Sequence, residues 1–180
     1  MIMSLRKATI NDIPELQKIC NTIYTEVFAD HWLEDGLELY LNEQFSSDKL
    51  KREMRSEMYD YHFIRLKGIN IGFTKVNYND NESLTDLDNC ELEKIYISLK
   101  YIGAGMGKSS MLELFQLARA KGKSKMFVCV LDTNFAALAF YRKIGFQNHS
   151  ILRLQAPKFK DDLRGMIRME IDLKQGLRNL

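Results

Sequence analysis

The segment Tyr101-Ile-Gly-Ala-Gly-Met-Gly-Lys108 gives the clearest indication of the fold. The strand-like run Leu92–Ile97 precedes it, and a helical pattern continues after it to about Lys121. Three glycines at alternate positions between a strand and a helix let the main chain turn tightly and expose its N–H groups to an anion. The positive end of the helix and the Lys108 ammonium strengthen that attraction. The segment therefore predicts a binding site for a phosphate-bearing ligand.

Two common phosphate-binding motifs fit this segment incompletely. A Walker A loop would need glycine where the chain has Ile102, although Gly107-Lys108-Ser109 matches the end of that motif. A dinucleotide-binding fingerprint would need its third glycine one residue after Gly107. Two alternatives therefore remain. The chain could be a nucleotide hydrolase, which only Gly107-Lys108-Ser109 supports, or the turn could hold no ligand.

A second motif, Asn134-Phe-Ala-Ala-Leu-Ala-Phe-Tyr-Arg-Lys-Ile-Gly-Phe146, predicts a helix that begins at Asn134 and ends at Gly145. The predicted strand Lys125–Leu131 comes before it. Strands and helices alternate in this half of the chain, after the hairpin-like runs Tyr61–Leu66 and Ile69–Tyr78. This order predicts an α/β (α+β) fold in which a mixed sheet carries helices on both faces.

The remaining elements are predicted from hydrophobic periodicity and helix-capping residues. No internal repeat or linker interrupts them, so we expect a single domain over residues 1–180. They are a strand at 3–8, a helix from about Asp12 to Val27, a helix over Gly36–Phe45, a helix from about Ser47 to Met58, a polar loop at 79–89, and strands over Phe146–Leu154 and Gly165–Leu173.

The composition is that of a globular domain, with 46% apolar and 28% charged residues. A formal net charge of +2 gives no reason to expect nucleic acid as a partner. No apolar run approaches the ~18 residues of a spanning helix, and Met1–Asn11 lacks the apolar stretch of a signal peptide. We therefore expect a cytoplasmic protein without a membrane partner. Cys20, Cys90 and Cys129 form no CxxC pair and no HExxH motif occurs, so we expect buried free thiols and no metal site.

Together, Tyr101–Lys108 and Asn134–Phe146 resemble the GCN5-related N-acetyltransferase (GNAT) family. Arg6-Lys7-Ala8-Thr9, followed by Asp12, is similar to the start of that family's fold. The resemblance implies a mixed, mostly antiparallel seven-stranded sheet with helices on both faces. Within the family, Tyr24–Phe45 and Leu92–Ile97 are most similar to spermidine/spermine N-acetyltransferases of the PaiA type.

The resemblance also implies acetyl-CoA as the donor and a primary amine as the acceptor, which attacks the thioester directly. Ile102 departs from the family pattern, which usually has Gln or Arg at that position. The edge of the predicted strand at Ile95–Ile97 would bind the pantetheine arm of the coenzyme, and the glycine turn would hold its pyrophosphate. A main-chain N–H near Ile95 would stabilise the oxyanion of the tetrahedral intermediate. The implied coenzyme-binding residues are Ile95, Tyr96, Ile97, Ile102, Gly103, Ala104, Gly105, Met106, Gly107, Lys108, Asn134, Tyr141 and Lys143.

Tyr141 and Glu93 are the predicted catalytic residues. The Tyr141 phenol, with an ordinary pKa of about 10, can protonate a departing thiolate, whose thiol has a pKa nearer 8.5. Glu93, in the strand beside the thioester, is the predicted base, directly or through a water. A solvated strand carboxylate remains the alternative interpretation of Glu93.

Two acidic stretches indicate the acceptor. Seven Asp or Glu and no Lys or Arg stand between Lys18 and Lys49, and six stand between Lys75 and Lys94. In this family both stretches flank the acceptor cleft, where a negative field would concentrate a polycation such as spermidine or spermine. Solvated helix faces and a packed Trp32 remain the alternatives. The predicted acceptor-binding residues are Glu26, His31, Trp32 and Glu34.

The expected partners are coenzyme A and a small-molecule amine, without nucleic acid, and a homodimer stays open. The alternative function is a non-catalytic acetyl-CoA-binding regulator, because the family has such members and Lys121-Gly-Lys-Ser-Lys125 is a small basic cluster. That cluster is more simply a solvated turn, and no helix-turn-helix pattern accompanies it. The presence of Tyr141 favours the enzyme.

Overall fold

The structure is a computed structural model that describes residues 3–78 and 88–174. Most of the predicted polar loop at 79–89 lies outside the described residues. The strands are β1 Met3–Lys7, β2 Tyr59–Leu66, β3 Ile69–Asn77, β4 Asn89–Ile97, β5 Lys125–Leu131, β6 Gln147–Arg153 and β7 Gly165–Asp172. The α-helices are α1 Ile13–Phe28, α2 Gly36–Phe45, α3 Ser47–Met54, α4 Met106–Ala120 and α5 Phe135–Lys143.

The strands form one sheet in the order β1-β2-β3-β4-β5-β7-β6. Neighbouring strands are antiparallel except β4 and β5, which are parallel and are connected by a crossover through α4. The predicted mixed, mostly antiparallel seven-stranded sheet is confirmed.

Helices cover both faces of this sheet. On one face, Leu114 of α4 and Leu138 of α5 pack against Val128 in a buried apolar cluster. On the other face, α1, α2 and α3 form a second cluster that includes Leu16 and Leu50. Within the described part of the chain, no helix has the length and apolar character that crossing a bilayer requires.

The parallel pair β4 and β5 run side by side for only a short distance. Asn89–Glu91 pairs with Lys125–Phe127, and the described parts of the two strands show no pairing beyond those residues. The strands therefore separate toward their carboxyl ends. Their separation opens a wedge in the sheet next to the turn that leads into α4.

A β-bulge in β4 lies at the start of this wedge. Lys75 of β3 pairs with Lys94, whereas the next residue of β3, Val76, pairs with Leu92. Glu93 is thus the extra residue of β4. A bulge bends its strand and redirects side chains, and bulges are frequent beside active sites.

The end of α3 differs from its predicted position. The helix ends at Met54 and not near Met58, because the main chain leaves it through a tighter turn, in which the Ser56 N–H donates to the Glu53 carbonyl at 3.0 Å. The Ser56 hydroxyl then accepts the N–H of Met58 at 3.2 Å. This turn frees Tyr59 to begin β2 two residues earlier than predicted.

Candidate active site

A cavity of about 790 Å³ fills the wedge between β4 and β5. Its wall combines the glycine turn, one edge of β4, the end of β5 and the inner side of α5. Twelve of the predicted site residues line it, namely Glu93, Ile95, Tyr96, Ile97, Ile102, Gly103, Gly105, Gly107, Lys108, Asn134, Tyr141 and Lys143.

The glycine turn leaves room for a ligand. Gly103 and Gly105 have φ angles of 84° and 78°, and a Cβ added to either would meet no atom within 4 Å. The first helical hydrogen bond runs from the Ser109 N–H to the Gly105 carbonyl at 3.1 Å. The N–H groups before Ser109 therefore point out of the positive end of α4. The predicted residues Ala104 and Met106 do not line the cavity, and Met106 is buried among Ile64 and Ile71 beneath the turn.

Gly107 also brings α4 and α5 together. A Cβ at Gly107 would lie 3.4 Å from the Phe140 ring, so the absence of a side chain allows this close approach. Asn134 caps α5, since its side-chain oxygen accepts the Ala137 N–H at 3.1 Å. The Asn134 side chain thus stabilises the start of α5 and also lines the cavity.

Tyr141 lines the cavity from α5 while its side chain is only 5% exposed. Its ring packs against Phe140 and Phe146, each with ring centroids 5.2 Å away. Burial raises the pKa of the Tyr141 phenol above its ordinary value. The hydroxyl therefore stays protonated at neutral pH, as a proton donor must.

Glu93 is a partly buried, ion-paired carboxylate, which differs from the alternative of a solvated strand residue. Its Oε2 atom lies 2.6 Å from the Lys75 ammonium, and its Oε1 atom accepts a hydrogen bond from the Asn77 amide at 3.1 Å. Burial by itself would raise the pKa of Glu93, but the attraction of Lys75, aided by Lys94 and the Asn77 amide, outweighs burial and lowers that pKa. Glu93 is therefore ionised where it meets the cavity.

None of the four predicted acceptor-binding residues lines this cavity. Glu26 lies on a second cleft, beside α1 and the β2–β3 turn, and Glu34 is exposed. Trp32 is packed between Tyr40 and Phe159, with ring centroids 4.8 and 4.9 Å away.

A short β-bridge explains the packing of this segment. Trp32 pairs with Phe159 of the loop between β6 and β7, and the Leu33 N–H donates to the Lys158 carbonyl at 2.8 Å. The His31 ring contacts Phe28 at 5.2 Å. The segment thus supports the cavity wall from behind, through Phe28.

The end of the cavity beside α1 is lined by residues that the sequence did not single out. Phe28 and Val27 of α1 face the cavity beside Tyr96, and Leu131 and Met166 lie across the wedge. Nothing in the local sequence distinguishes these residues from ordinary core positions, because strand separation brings them to the cavity. Among the described residues that line the cavity, Glu93 is the acidic one. The lysines of the same wall are Lys94, Lys108 and Lys143.

Comparison with known proteins agrees with this geometry. A family model described as the acetyltransferase (GNAT) family matches residues 14–146. The chain belongs to the GNAT family. It is therefore an acetyl-CoA-dependent N-acetyltransferase, and the expected donor is confirmed.

Two relatives and one solved structure illustrate the similarity of this GNAT chain to known proteins. An uncharacterized N-acetyltransferase in the pepI 3′ region of Lactobacillus delbrueckii subsp. lactis is 27% identical, over 77% of this chain and 81% of the relative. The spermidine N(1)-acetyltransferase of Thermoplasma acidophilum is 24% identical, over 82% and 89%. The crystal structure of the PaiA N-acetyltransferase from Thermoplasma acidophilum in complex with coenzyme A has a TM-score of 0.74 at 22% identity, covering 96% of this chain and 99% of that one.

The residues of this GNAT chain fit acetyl-CoA. The unobstructed glycines and the helix end suit a diphosphate, and Lys108 and Lys143 add positive charge to the same wall. The edge of β4 that faces β5 shows no strand pairing from Leu92 to Ile97, which suits an amide-bearing arm. The described residues contain no group of three or more His, Cys, Asp or Glu side chains that could hold a metal ion.

Proposed function

We propose that this chain acetylates a primary amine of a polyamine, such as spermidine or spermine. The observation that carries the proposal is that one cavity holds a protonated phenol, Tyr141, and an ionised carboxylate, Glu93, together with the glycine turn. A phenol and a carboxylate supply the acid and the base that amine acetylation needs. The similarity to a spermidine N(1)-acetyltransferase supports the acceptor class.

The coenzyme end of the cavity has the simpler task. Acetyl-CoA supplies an acetyl thioester, and this chain supplies the binding groups. The N–H groups of residues 103–108 and the Lys108 ammonium bind the pyrophosphate, with Ala104 and Met106 shaping the turn. The main chain of Ile95–Ile97 binds the pantetheine arm, with Asn134 and Lys143 opposite it, at the two ends of α5.

The reaction itself needs three groups of this chain. Glu93 accepts the proton of the arriving ammonium, directly or through a water, so that the nitrogen has a lone pair for attack on the carbonyl carbon. A main-chain N–H near Ile95 stabilises the negative charge that develops on the carbonyl oxygen. The carbonyl re-forms as the C–S bond breaks, and Tyr141 donates its proton to the departing sulfur. The nitrogen loses its remaining surplus proton as the amide forms, and that proton restores the Tyr141 phenol.

Acceptor selection uses both charge and shape. The acidic side chains between Lys18 and Lys49, Glu26 and Glu34 among them, lie on the surface and attract a polycation before it enters. The faces of Phe28 and Tyr96 then receive the methylene segments and the ammonium groups. His31 and Trp32 hold this wall in place from behind. Asp80, Glu82 and Asp86 of the second acidic stretch lie outside the described residues.

An amine panel with thiol release as the readout tests this function. We expect spermidine or spermine to react faster than a monoamine of similar length, and much faster than an acidic amine. We also expect kcat/KM for spermidine to fall severalfold between about 0.01 and 0.3 M salt, because screening shortens the reach of the acidic surface. The monoamine is the matched control and should show a weaker salt dependence. Equal activity on an acidic amine would contradict the proposal.

The Ile102 position gives a further prediction about the coenzyme. Ile102 is 64% exposed and lines the cavity beside the glycine turn. We expect Ile102→Arg to tighten acetyl-CoA binding about two- to fivefold, or roughly 0.5–1 kcal/mol, because an exposed guanidinium gains a modest attraction to the phosphates. Leu99→Arg adds the same charge at an exposed position that does not line the cavity, and calorimetry should show little change. Equal gains in both variants would indicate a general charge effect.

A further inference from the structure

Lys75 lies at the centre of a buried network of polar side chains that extends from α3 to the cavity. Its Nζ atom is 2.6 Å from Glu93 Oε2 and 3.0 Å from Glu53 Oε1, and its side chain is 4% exposed. The other oxygen of Glu53 accepts a hydrogen bond from the Tyr61 hydroxyl. Burial penalises an unpaired charge heavily, so the two carboxylates and the ammonium hold one another in place.

At the cavity, this network ends at Glu93, the bulge residue of β4. Glu93 lines the cavity, and both of its carboxylate oxygens are bound by side chains of β3, Lys75 and Asn77. Lys75 and Glu53 are not among the described residues of the cavity wall. Any effect of Lys75 on the reaction must therefore pass through Glu93.

We propose that Lys75 is a positioning residue, whose ammonium fixes the Glu93 carboxylate at the β4 bulge in its ionised form, facing the acetyl-transfer cavity. This inference rests on the proposed role of Glu93 as the proton acceptor. A protonated carboxyl group cannot take a proton from an ammonium, so the charge state of Glu93 sets the lower pH limit of the reaction. Lys75 moves that limit to lower pH.

Lys75 and its second partner, Glu53, have opposite effects on the pKa of Glu93. Without Lys75, burial is opposed by the weaker influence of Lys94 and the Asn77 amide, and the pKa of Glu93 rises. Without the charge of Glu53, the ammonium attracts Glu93 undivided and a nearby negative charge disappears, so the pKa of Glu93 falls. Among residues 3–78 and 88–174, the titratable or charged groups that face Glu93 are Lys75 on β3, Lys94 on β4, Glu53 on α3, and Tyr59 and Tyr61 on β2.

A carboxyl titration followed by ¹³C NMR tests the proposal in the full chain without any acceptor. The signal of Glu93 is assigned by its loss in Glu93→Gln. We expect Lys75→Met to raise the pKa of Glu93 by about 1–3 units and Glu53→Gln to lower it. The acidic limb of the kcat/KM profile should move in the same directions. Lys75→Arg keeps the charge and should restore a titration close to that of the unmodified chain.

Opposite shifts distinguish a positioning role from a structural one. Damage to the fold would move both variants in one direction, and that result, or a Glu93 titration unchanged in Lys75→Met, would overturn the proposal. If Lys75→Met does not fold, the isosteric variant Glu53→Gln tests the proposal alone. A pKa of Glu93 that does not fall in Glu53→Gln would then overturn the proposal. A titration that moves while the pH profile stays fixed would instead overturn Glu93 as the proton acceptor.

Discussion

Replacing Tyr141 by phenylalanine should lower kcat by about 10²–10⁴-fold, the usual cost of losing a general acid or base. The departing thiolate would then have to take its proton from solvent or leave as the anion. The phenylalanine ring preserves the packing on Phe140 and Phe146, so the affinity for acetyl-CoA should change less than about twofold. Thiol release under saturating substrates measures the first effect, and calorimetry measures the second.

Two other tyrosines of the same cavity serve as controls for this experiment. Tyr101 lies beside the glycine turn, and Tyr101→Phe should leave kcat nearly unchanged. Tyr96 lies on β4, and burial followed by the influence of Tyr40 and Tyr141 raises its pKa. Full turnover in Tyr141→Phe together with a loss in Tyr96→Phe would transfer the role of proton donor to Tyr96.

Local sequence predicted the geometry of the glycine turn well. The glycine turn depends on residues that follow one another, and Gly103 and Gly105 take the left-handed conformations that the pattern required. The hairpin at Lys67-Gly68 was predictable for the same reason, since both residues have positive φ angles. Where the deciding interactions lie within one turn, the residue types alone are sufficient.

The proposed acceptor side depends on contacts between distant parts of the chain, which periodicity does not indicate. Trp32 takes its position from a bridge to Phe159, on the loop between β6 and β7. Glu93 meets Lys75 because a bulge shifts the register between two strands, and a register cannot be obtained from one strand alone. The sequence therefore predicted a role for Glu93 but did not predict its partner Lys75.

The glycine turn yields the second large effect, a loss of coenzyme affinity in Gly105→Ala. Gly105 has a φ of 78°, where a side chain costs about 1–2 kcal/mol, and the added methyl would project from the wall of the cavity. We expect the dissociation constant for acetyl-CoA to rise about tenfold or more, which is about 1.4 kcal/mol or more of binding free energy. Calorimetry with acetyl-CoA and with ATP measures the change and its selectivity.

Gly122, just past the other end of α4, provides the matched control for strain. It has a φ of 76°, and a Cβ there would likewise meet no atom within 4 Å, but it does not line the cavity. Gly122→Ala and Gly105→Ala should therefore lose similar free energy of unfolding, while only Gly105→Ala weakens the binding of acetyl-CoA. Equal weakening in both variants would mean that backbone strain, transmitted through the helix, causes the loss. An unchanged affinity in Gly105→Ala would mean that the diphosphate binds elsewhere, because a methyl group inside a close-fitting anion site cannot be neutral.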